Sequence, residues 1–216
     1  MPTIVSRSGS VLRAHLVRGA AAVAVTLAVG GCGRGRSTGP VATPIYSQKD
    51  GTLEQLVTDT NGDGKVDTRA FMKGLTLLRI EIDRNHDDAP DRWEYYDQAP
   101  EGVTVANSPD GRAMITRAEE ANGADATITR REFYERGVIA RVEEDTDADG
   151  RVDKWETYEG GDLSRVDLDL GRKGFPDRRL TYGEGGEVIR IEADPDGDGT
   201  FVLLPLPKPE AKTTGK

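Results

Sequence analysis

The chain has 216 residues, with 29 basic and 38 acidic side chains and a formal net charge of −9. No basic residues cluster into a phosphate-binding patch, which argues against nucleic acid as a partner. The excess of acidic side chains favours a cation as the partner. One cysteine and two histidines leave little material for thiol- or histidine-based catalysis, and a lone thiol cannot form an internal disulfide.

The chain begins with an export signal. Three arginines and no acid precede an apolar run over 20–29, which is too short to span a bilayer as a mature helix. The run ends Val29-Gly30-Gly31-Cys32, which resembles the lipobox of bacterial lipoproteins. That resemblance implies that residues 1–31 are removed and that Cys32 receives the lipid; in the alternative reading an ordinary peptidase cuts nearby and the cysteine is incidental. It also implies anchoring in the bacterial cell envelope, with Gly33 favouring the outer membrane over the inner.

Composition then divides the chain. Residues 32–46 are rich in Gly, Pro, Ser and Thr and predict a flexible tether, 47–204 a repeat domain, and 205–216 a disordered tail. Removal of residues 1–31 takes three arginines and leaves 26 basic against 38 acidic side chains, a net charge of −12. The mature chain is therefore strongly acidic.

An internal repeat of 24 to 25 residues fills the domain and predicts about six copies. Each copy reads as a strand with alternating Arg, apolar and acidic residues, an acidic loop, an aromatic strand and a glycine turn. This pattern predicts an all-β antiparallel meander of short hairpins, ten to twelve strands in all, with acidic loops along one edge and glycine turns along the other. An insertion over 98–111 is the one departure from the repeat. The loops begin at Asp59, Asp83, Asp145, Asp169 and Asp194, with a degenerate copy at Glu120.

The loop spacing is typical of calcium binding. Calcium takes six to eight oxygen ligands, so a short loop offers carboxylates at alternate positions, a turn at glycine and a backbone carbonyl at position seven. The best loop offers Asp145, Asp147, Asp149, Asp153 and Glu156, with the carbonyl of Arg151. The other candidate ligands are Asp59, Asn61, Asp63, Lys65 (carbonyl) and Asp67; Asp83, Asn85, Asp87, Asp91 and Glu94; and Asp194, Asp196 and Asp198. The Asp169 and Glu120 copies lack ligands and are predicted to be empty turns. The alternative for all of these loops is an ordinary acidic turn without metal, because Asp, Asn and Gly are also common in such turns.

The loop at 145–156 resembles those of EF-hand and dockerin proteins, and also the calcium loops of thrombospondin type 3 and FG-GAP repeats. EF-hands and dockerins require a helix after the loop, but here Gly160-Gly161 follows too soon for a stable helix. Thrombospondin type 3 repeats use disulfides, and FG-GAP repeats have a longer period. The resemblance therefore carries over to the acidic positions alone, and it implies calcium as the cofactor.

Two functions follow from these patterns. The first is a lipid-anchored envelope or surface protein whose calcium loops stiffen a β-repeat scaffold used for structure or for interaction with a protein or glycan partner. The second is an envelope enzyme or enzyme accessory subunit with carboxylate-based chemistry. We favour the first and expect no enzyme, because the repeat accounts for nearly all of the acids.

Lipidation can be tested at its cysteine. Cys32→Ser should move the protein from the membrane fraction to the soluble fraction, because several acyl chains on one residue give stable attachment at about 0.8 kcal/mol per buried methylene. Fractionation followed by immunoblotting measures the distribution, with Thr38→Ser in the tether as a matched control. Full retention of the Cys32→Ser variant in membranes would contradict the lipobox assignment.

Overall fold

The structure is a computed structural model that describes residues 41–102, 104, 111–122 and 127–206. Over these residues thirteen strands join into one antiparallel sheet, and their order in the sheet is their order along the chain. The predicted all-β meander is confirmed, with one strand more than the upper expectation. The strands are β1 (Thr43–Tyr46), β2 (Leu53–Thr58), β3 (Thr68–Lys73), β4 (Thr76–Ile82), β5 (Arg92–Gln98), β6 (Ala113–Ala121), β7 (Ile128–Glu135), β8 (Val138–Glu144), β9 (Lys154–Glu159), β10 (Asp162–Leu168), β11 (Arg178–Tyr182), β12 (Val188–Ala193) and β13 (Val202–Leu204).

The sheet begins earlier than composition predicts. β1 lies within the predicted tether, and it pairs with β2 so that Thr43 is opposite Val57. Ile45 and Tyr46 suit a pleated surface, which outweighs the Gly- and Pro-rich composition around them. The signal peptide, Cys32 and residues 207–216 lie outside the described residues, so the assignments made there stay predictions. In the described part, no helix is long and apolar enough to cross a membrane.

Each hairpin on the glycine-turn side carries one extra residue on its second strand. In β3 and β4, for example, Phe71 is opposite Arg79 while Met72 is opposite Leu77, so one residue is left unpaired. Such bulges bend a strand and increase its twist, and here one occurs in every repeat unit. β4 and β6 also approach each other across β5. The unpaired residues are Glu54, Leu78, Thr116, Ala140, Ser164 and Ile189.

One face of the sheet, here called the inner face, carries a row of residues that lie opposite one another in register. The row is buried from Leu56 to Val166 and half-buried in its last three residues. The row is apolar where a small core forms around Leu56, Met72 and Ile80. From β5 to β10 it alternates between glutamate and an apolar residue, and Val142 at its centre is fully buried. The row consists of Leu56, Ala70, Ile80, Glu94, Ala118, Glu132, Val142, Glu156, Val166, Leu180, Ile191 and Leu204.

The inner-face glutamates belong to a continuous ion-pair network that spans β5 to β9. Arg92, which is only 3% exposed, contacts Glu94 at 2.8 Å, Glu120 at 2.5 Å and Glu132 at 3.0 Å. Arg130 extends the network from Glu132 (3.2 Å) toward β8 and β9. Lys154 closes it with contacts to Glu144 and Glu156.

Each of the three inner-face glutamates also accepts a hydrogen bond from a tyrosine hydroxyl. Tyr96, Tyr134 and Tyr158 donate to Glu94, Glu132 and Glu156 respectively, each at 2.7 Å. Burial and the neighbouring carboxylates raise the pKa of all three tyrosines. The strands thus share one motif, a basic residue, then glutamate, then tyrosine at alternate positions.

The opposite face, here called the outer face, carries the Arg-apolar-acid signatures that the sequence shows before each loop. Arg79 and Glu81 form an ion pair at 2.8 Å on β4, and Arg165 and Asp167 form one at 3.0 Å on β10. Arginines also lie over aromatic rings of the neighbouring strand, as Arg141 does 3.9 Å from the centre of the Phe133 ring. The inner face therefore holds its charges in a buried ion-pair network, whereas the outer face holds them in more exposed ion pairs and in contacts between arginines and aromatic rings.

The tyrosines predict a loss of stability at alkaline pH. Their folded-state pKa values are raised, so they contribute stability that is present below the unfolded pKa of about 10 and is lost as the pH rises above it. Thermal unfolding followed by circular dichroism at pH 8 and near pH 11 should show a lower midpoint at the higher pH. Tyr134→Phe should reduce the difference between the two midpoints, and equal midpoints in the wild type would contradict the argument.

Candidate metal-binding loops

The first aspartate of each described acidic loop organises the loop backbone. Its carboxylate accepts hydrogen bonds from backbone N–H groups three to five residues later, which closes the turn. Asp145 accepts from Asp149 at 3.2 Å and from Gly150 at 2.8 Å. The same arrangement occurs at Asp59, Asp83, Asp169 and Asp194.

The ninth residue, also aspartate in four of these loops, holds the beginning of the loop. Asp67 accepts the backbone N–H of Thr60 at 2.7 Å and the Thr60 hydroxyl, and the hydroxyl contact lowers the pKa of Asp67 to about 2. Asp153 makes the equivalent contacts with Thr146. The equivalent acids in the other two loops are Asp91 and Asp177.

The loop backbones repeat the same two left-handed residues. The sixth position has a φ of 85–91° at its four glycines, and Asp88, which stands in place of glycine, adopts 75°. The fourth position is also left-handed in all five described loops, including Ala148 at 58° and Arg172 at 53°. Non-glycine residues at such positions are disfavoured by roughly 1 kcal/mol. The carboxylates of the first and ninth residues must therefore hold these loops in the strained conformation.

The loop at Asp169 shows which acids the turn requires. It has Gly171 and Lys173 where the better loops have acids, yet Asp169 still accepts from Lys173 at 2.8 Å and from Gly174 at 2.6 Å. Asp177 still binds the loop start. The first and ninth acids therefore suffice for this turn, and acids at positions three and five are additional.

In three loops the carboxylates converge into groups that could hold a metal ion. Within each group, one oxygen per residue lies within 4.8 Å of the others. In two of the groups the first acid is buried and the acids at positions three and five are exposed. The groups are Asp59, Asp63 and Asp67; Asp145, Asp147 and Asp149; and Asp194, Asp196 and Asp198.

The loop at Asp83 does not form such a group within the described residues, although its sequence offers an oxygen ligand at each predicted position. Asp87 lies two residues from Asn85, whose amide donates to it at 3.1 Å. Asp88 instead pairs with Lys65 of the preceding loop at 2.5 Å. His86 contacts Asp67 of the preceding loop at 3.1 Å. This loop is thus tied to its neighbour through side chains.

The predicted twelfth-position ligands, Glu94 and Glu156, are not brought to the loops. Both are buried on the inner face, where Arg92 or Lys154 and a tyrosine hydroxyl hold their oxygens. Glu132 occupies the same place on β7 and follows a loop without the calcium-type spacing. That recurrence was the available signal that this glutamate belongs to the strand motif and not to the loop.

The carbonyl ligands predicted at position seven belong to exposed residues, Lys65 and Arg151. The N–H of Arg151 is held by Asp149 at 2.9 Å, and the N–H of Lys65 is held by Asp63 at 2.8 Å. In the degenerate copy, Glu120 is the last residue but one of β6 and pairs with Arg84 and Arg92. Residues 123–126 of that copy lie outside the described part.

Neighbouring loops are joined by backbone hydrogen bonds at their bases. The N–H of Asp83 donates to the carbonyl of Asp67 at 2.8 Å, and the N–H of Asp169 donates to Asp153 at 2.8 Å. The bond from Asp194 to Asp177 is equivalent, at 3.0 Å. The ninth residue of one loop thereby supports the first residue of the next.

Comparisons with known proteins give no family for this chain. No protein-family model matches it, and no curated protein matches it. Among solved structures, the crystal structure of accessory secretory protein 1,2 and 3 in Streptococcus pneumoniae is similar at 16% identity with a TM-score of 0.25. The match covers 61% of this chain and spans only 19% of that one.

The role of the first aspartate can be tested where no metal group forms. Asp169→Ala should lower the free energy of unfolding by about 1 to 3 kcal/mol, because it leaves loop N–H groups without their acceptor. The loss should be equal with and without calcium. Lys173→Ala in the same loop is the control and should change stability by less than about 0.5 kcal/mol. Chemical denaturation measures both variants, and an unchanged Asp169→Ala would contradict the assignment.

Proposed function

We propose that this protein is a lipid-anchored bacterial envelope protein whose acidic loops bind calcium and stiffen a β-repeat scaffold displayed for interaction. The observation that carries the proposal is the convergence of three carboxylates in each of three loops. The anchoring part is supported by the signal peptide and Val29-Gly30-Gly31-Cys32.

The acids at positions three and five are the main argument for a cation. The Asp169 loop keeps its turn without them, so the turn does not require them. Asp63, Asp149 and Asp198 each accept one backbone N–H two residues later, which leaves further carboxylate oxygens for a cation. Two carboxylates about 4 Å apart repel by roughly 4 kcal/mol at an effective dielectric of 20. A divalent cation between them converts that repulsion into attraction.

The donor set favours calcium over softer or smaller metals. The candidate ligands near each group are carboxylate, amide and backbone carbonyl oxygens, which hard cations prefer. Magnesium demands octahedral geometry at about 2.0 to 2.1 Å, whereas calcium accepts six to eight oxygens in flexible arrangements. Loops with three converging acids suit the flexible coordination of calcium.

Calcium in one loop would stabilise more than that loop. Asp153 holds the start of the Asp145 loop, and its carbonyl accepts the N–H of Asp169 at 2.8 Å. Ordering this loop therefore also orders the base of the next one. In a repeat array whose stability is a sum of nearest-neighbour terms, this coupling stiffens the sheet edge.

Calcium-dependent stability provides the test. At millimolar calcium and a Kd of about 0.1 to 1 mM, each site should add about 0.5 to 1.5 kcal/mol. Asp147→Ala should lose one site's share of the calcium-induced shift in thermal midpoint, whereas Lys173→Ala should keep the full shift. Equal shifts in wild type and Asp147→Ala would show that this loop is an acidic turn only.

A second variant changes the same site in the opposite direction. The guanidinium of Arg172 contacts Asp147, so it competes with a metal for that carboxylate. Arg172→Ala should therefore strengthen calcium binding at this loop, as measured by isothermal titration calorimetry. Weaker calcium binding by this variant would contradict the placement of the metal at Asp147.

A further inference from the structure

The outer face carries a row of residues in register, with an arginine on every second strand. In register, this row reads Phe71, Arg79, Tyr95, Arg117, Phe133, Arg141, Thr157, Arg165, Thr181 and Arg190. Three of the arginines stack on the ring of the preceding strand, at 4.3, 4.2 and 3.9 Å from the ring centres. Stacking holds each guanidinium flat and fixes its position.

Beside this row runs a second one that contains the acids. It holds five acids, which are Glu81, Glu119, Glu143, Asp167 and Glu192, and three further arginines, which are Arg69, Arg131 and Arg179. The eight arginine side chains of the two rows are 29–56% exposed, whereas the five acids are only 8–24% exposed. Each of these arginines contacts an acid of the second row, but the eight arginines outnumber the five acids and are more exposed. Solvent therefore meets a strip with a net positive charge, although the chain as a whole is acidic.

The strip is narrow. On its glycine-turn side the outer face continues into exposed acids, Asp97, Glu135 and Glu159. On its other side lie the acidic loops. A wide polyanion such as a nucleic-acid duplex would meet negative charge on both flanks, so the strip fits one thin, extended chain that crosses the strands.

We propose that this strip binds an extended acidic polysaccharide that lies across the strands. Arginines on alternate strands recur at roughly 9.5 Å, which matches charges placed regularly along one thin chain. Arginine pairs with carboxylates in a bidentate geometry. The half-buried rings of Trp93 and Trp155, which face outward in the acid row, add apolar contact surface for sugar rings.

This inference deepens the proposed function, since it names a glycan as the partner of the scaffold, and it rests on that proposal only for the scaffold's role in interaction. The strip lies on a face of the sheet and the candidate metal groups lie at its edge. The two sites can therefore fail independently. Binding to the strip needs no calcium.

The experiment measures binding of the purified full chain to polygalacturonate by affinity electrophoresis, in EDTA and low salt. Neutral dextran, polyglutamate and single-stranded DNA are run in parallel. We expect retention by polygalacturonate that falls steeply with added salt, because the contacts are ionic. Arg141→Gln with Arg165→Gln should weaken binding at least tenfold, and Arg136→Gln, an exposed arginine in a glycine turn, should change it less than twofold.

Three outcomes would overturn the inference. The first is no retention of the wild type by polygalacturonate in EDTA, including the case where calcium restores it, since the acidic loops would then be the binding site. The second is equal binding by the double variant, with circular dichroism showing both proteins folded. The third is stronger binding to polyglutamate or DNA. None of these outcomes affects the calcium-induced shift in midpoint, which tests the scaffold separately.

Discussion

Every charge that this sheet buries must find its counter-charge within the sheet. The described side-chain contacts join strands that are neighbours or next neighbours, so no second layer supplies partners. Arg92, Arg130 and Lys154 therefore alternate with glutamates across β5 to β9, and tyrosine hydroxyls supply the remaining donors. Removing one member of such a network leaves a buried charge unpaired, which typically destabilises by about 3 to 5 kcal/mol.

This network contributes more to specificity than to net stability. Buried ion pairs are often no more stabilising than apolar residues of the same size. A slip of one residue in β5, β7 or β9 would, however, move its basic residue, glutamate and tyrosine to the outer face and leave their partners unpaired. Each tyrosine lies two residues after its glutamate on the strand without the extra residue, so the two side chains share the inner face. Register is thus fixed by charge as well as by turn geometry.

Much of the architecture can be predicted from local sequence, because each copy of the 24- to 25-residue repeat encodes the same hairpin. The first acid of each described loop, and the ninth acid of the four loops that have one, could be recognised, since Asp in a turn bonds its own backbone. The role of Glu156 could not be assigned from spacing alone, because position twelve of a calcium loop and the inner face of β9 coincide in sequence. Strand β1 was missed because four residues give too short a pattern to outweigh a Pro- and Gly-rich context.

The path by which the chain enters the sheet has a mechanical consequence. The N-terminal segment joins the fold at β1, an exposed four-residue edge strand with one neighbour, β2. Tension that pulls that segment away from the sheet would load the hydrogen bonds of β1 one after another and not all at once. The first hairpin strand would detach at low force, whereas β2 is retained by the packing of Leu56 in the apolar core. The molecule would thus lengthen by one short strand under load before its folded body is disturbed.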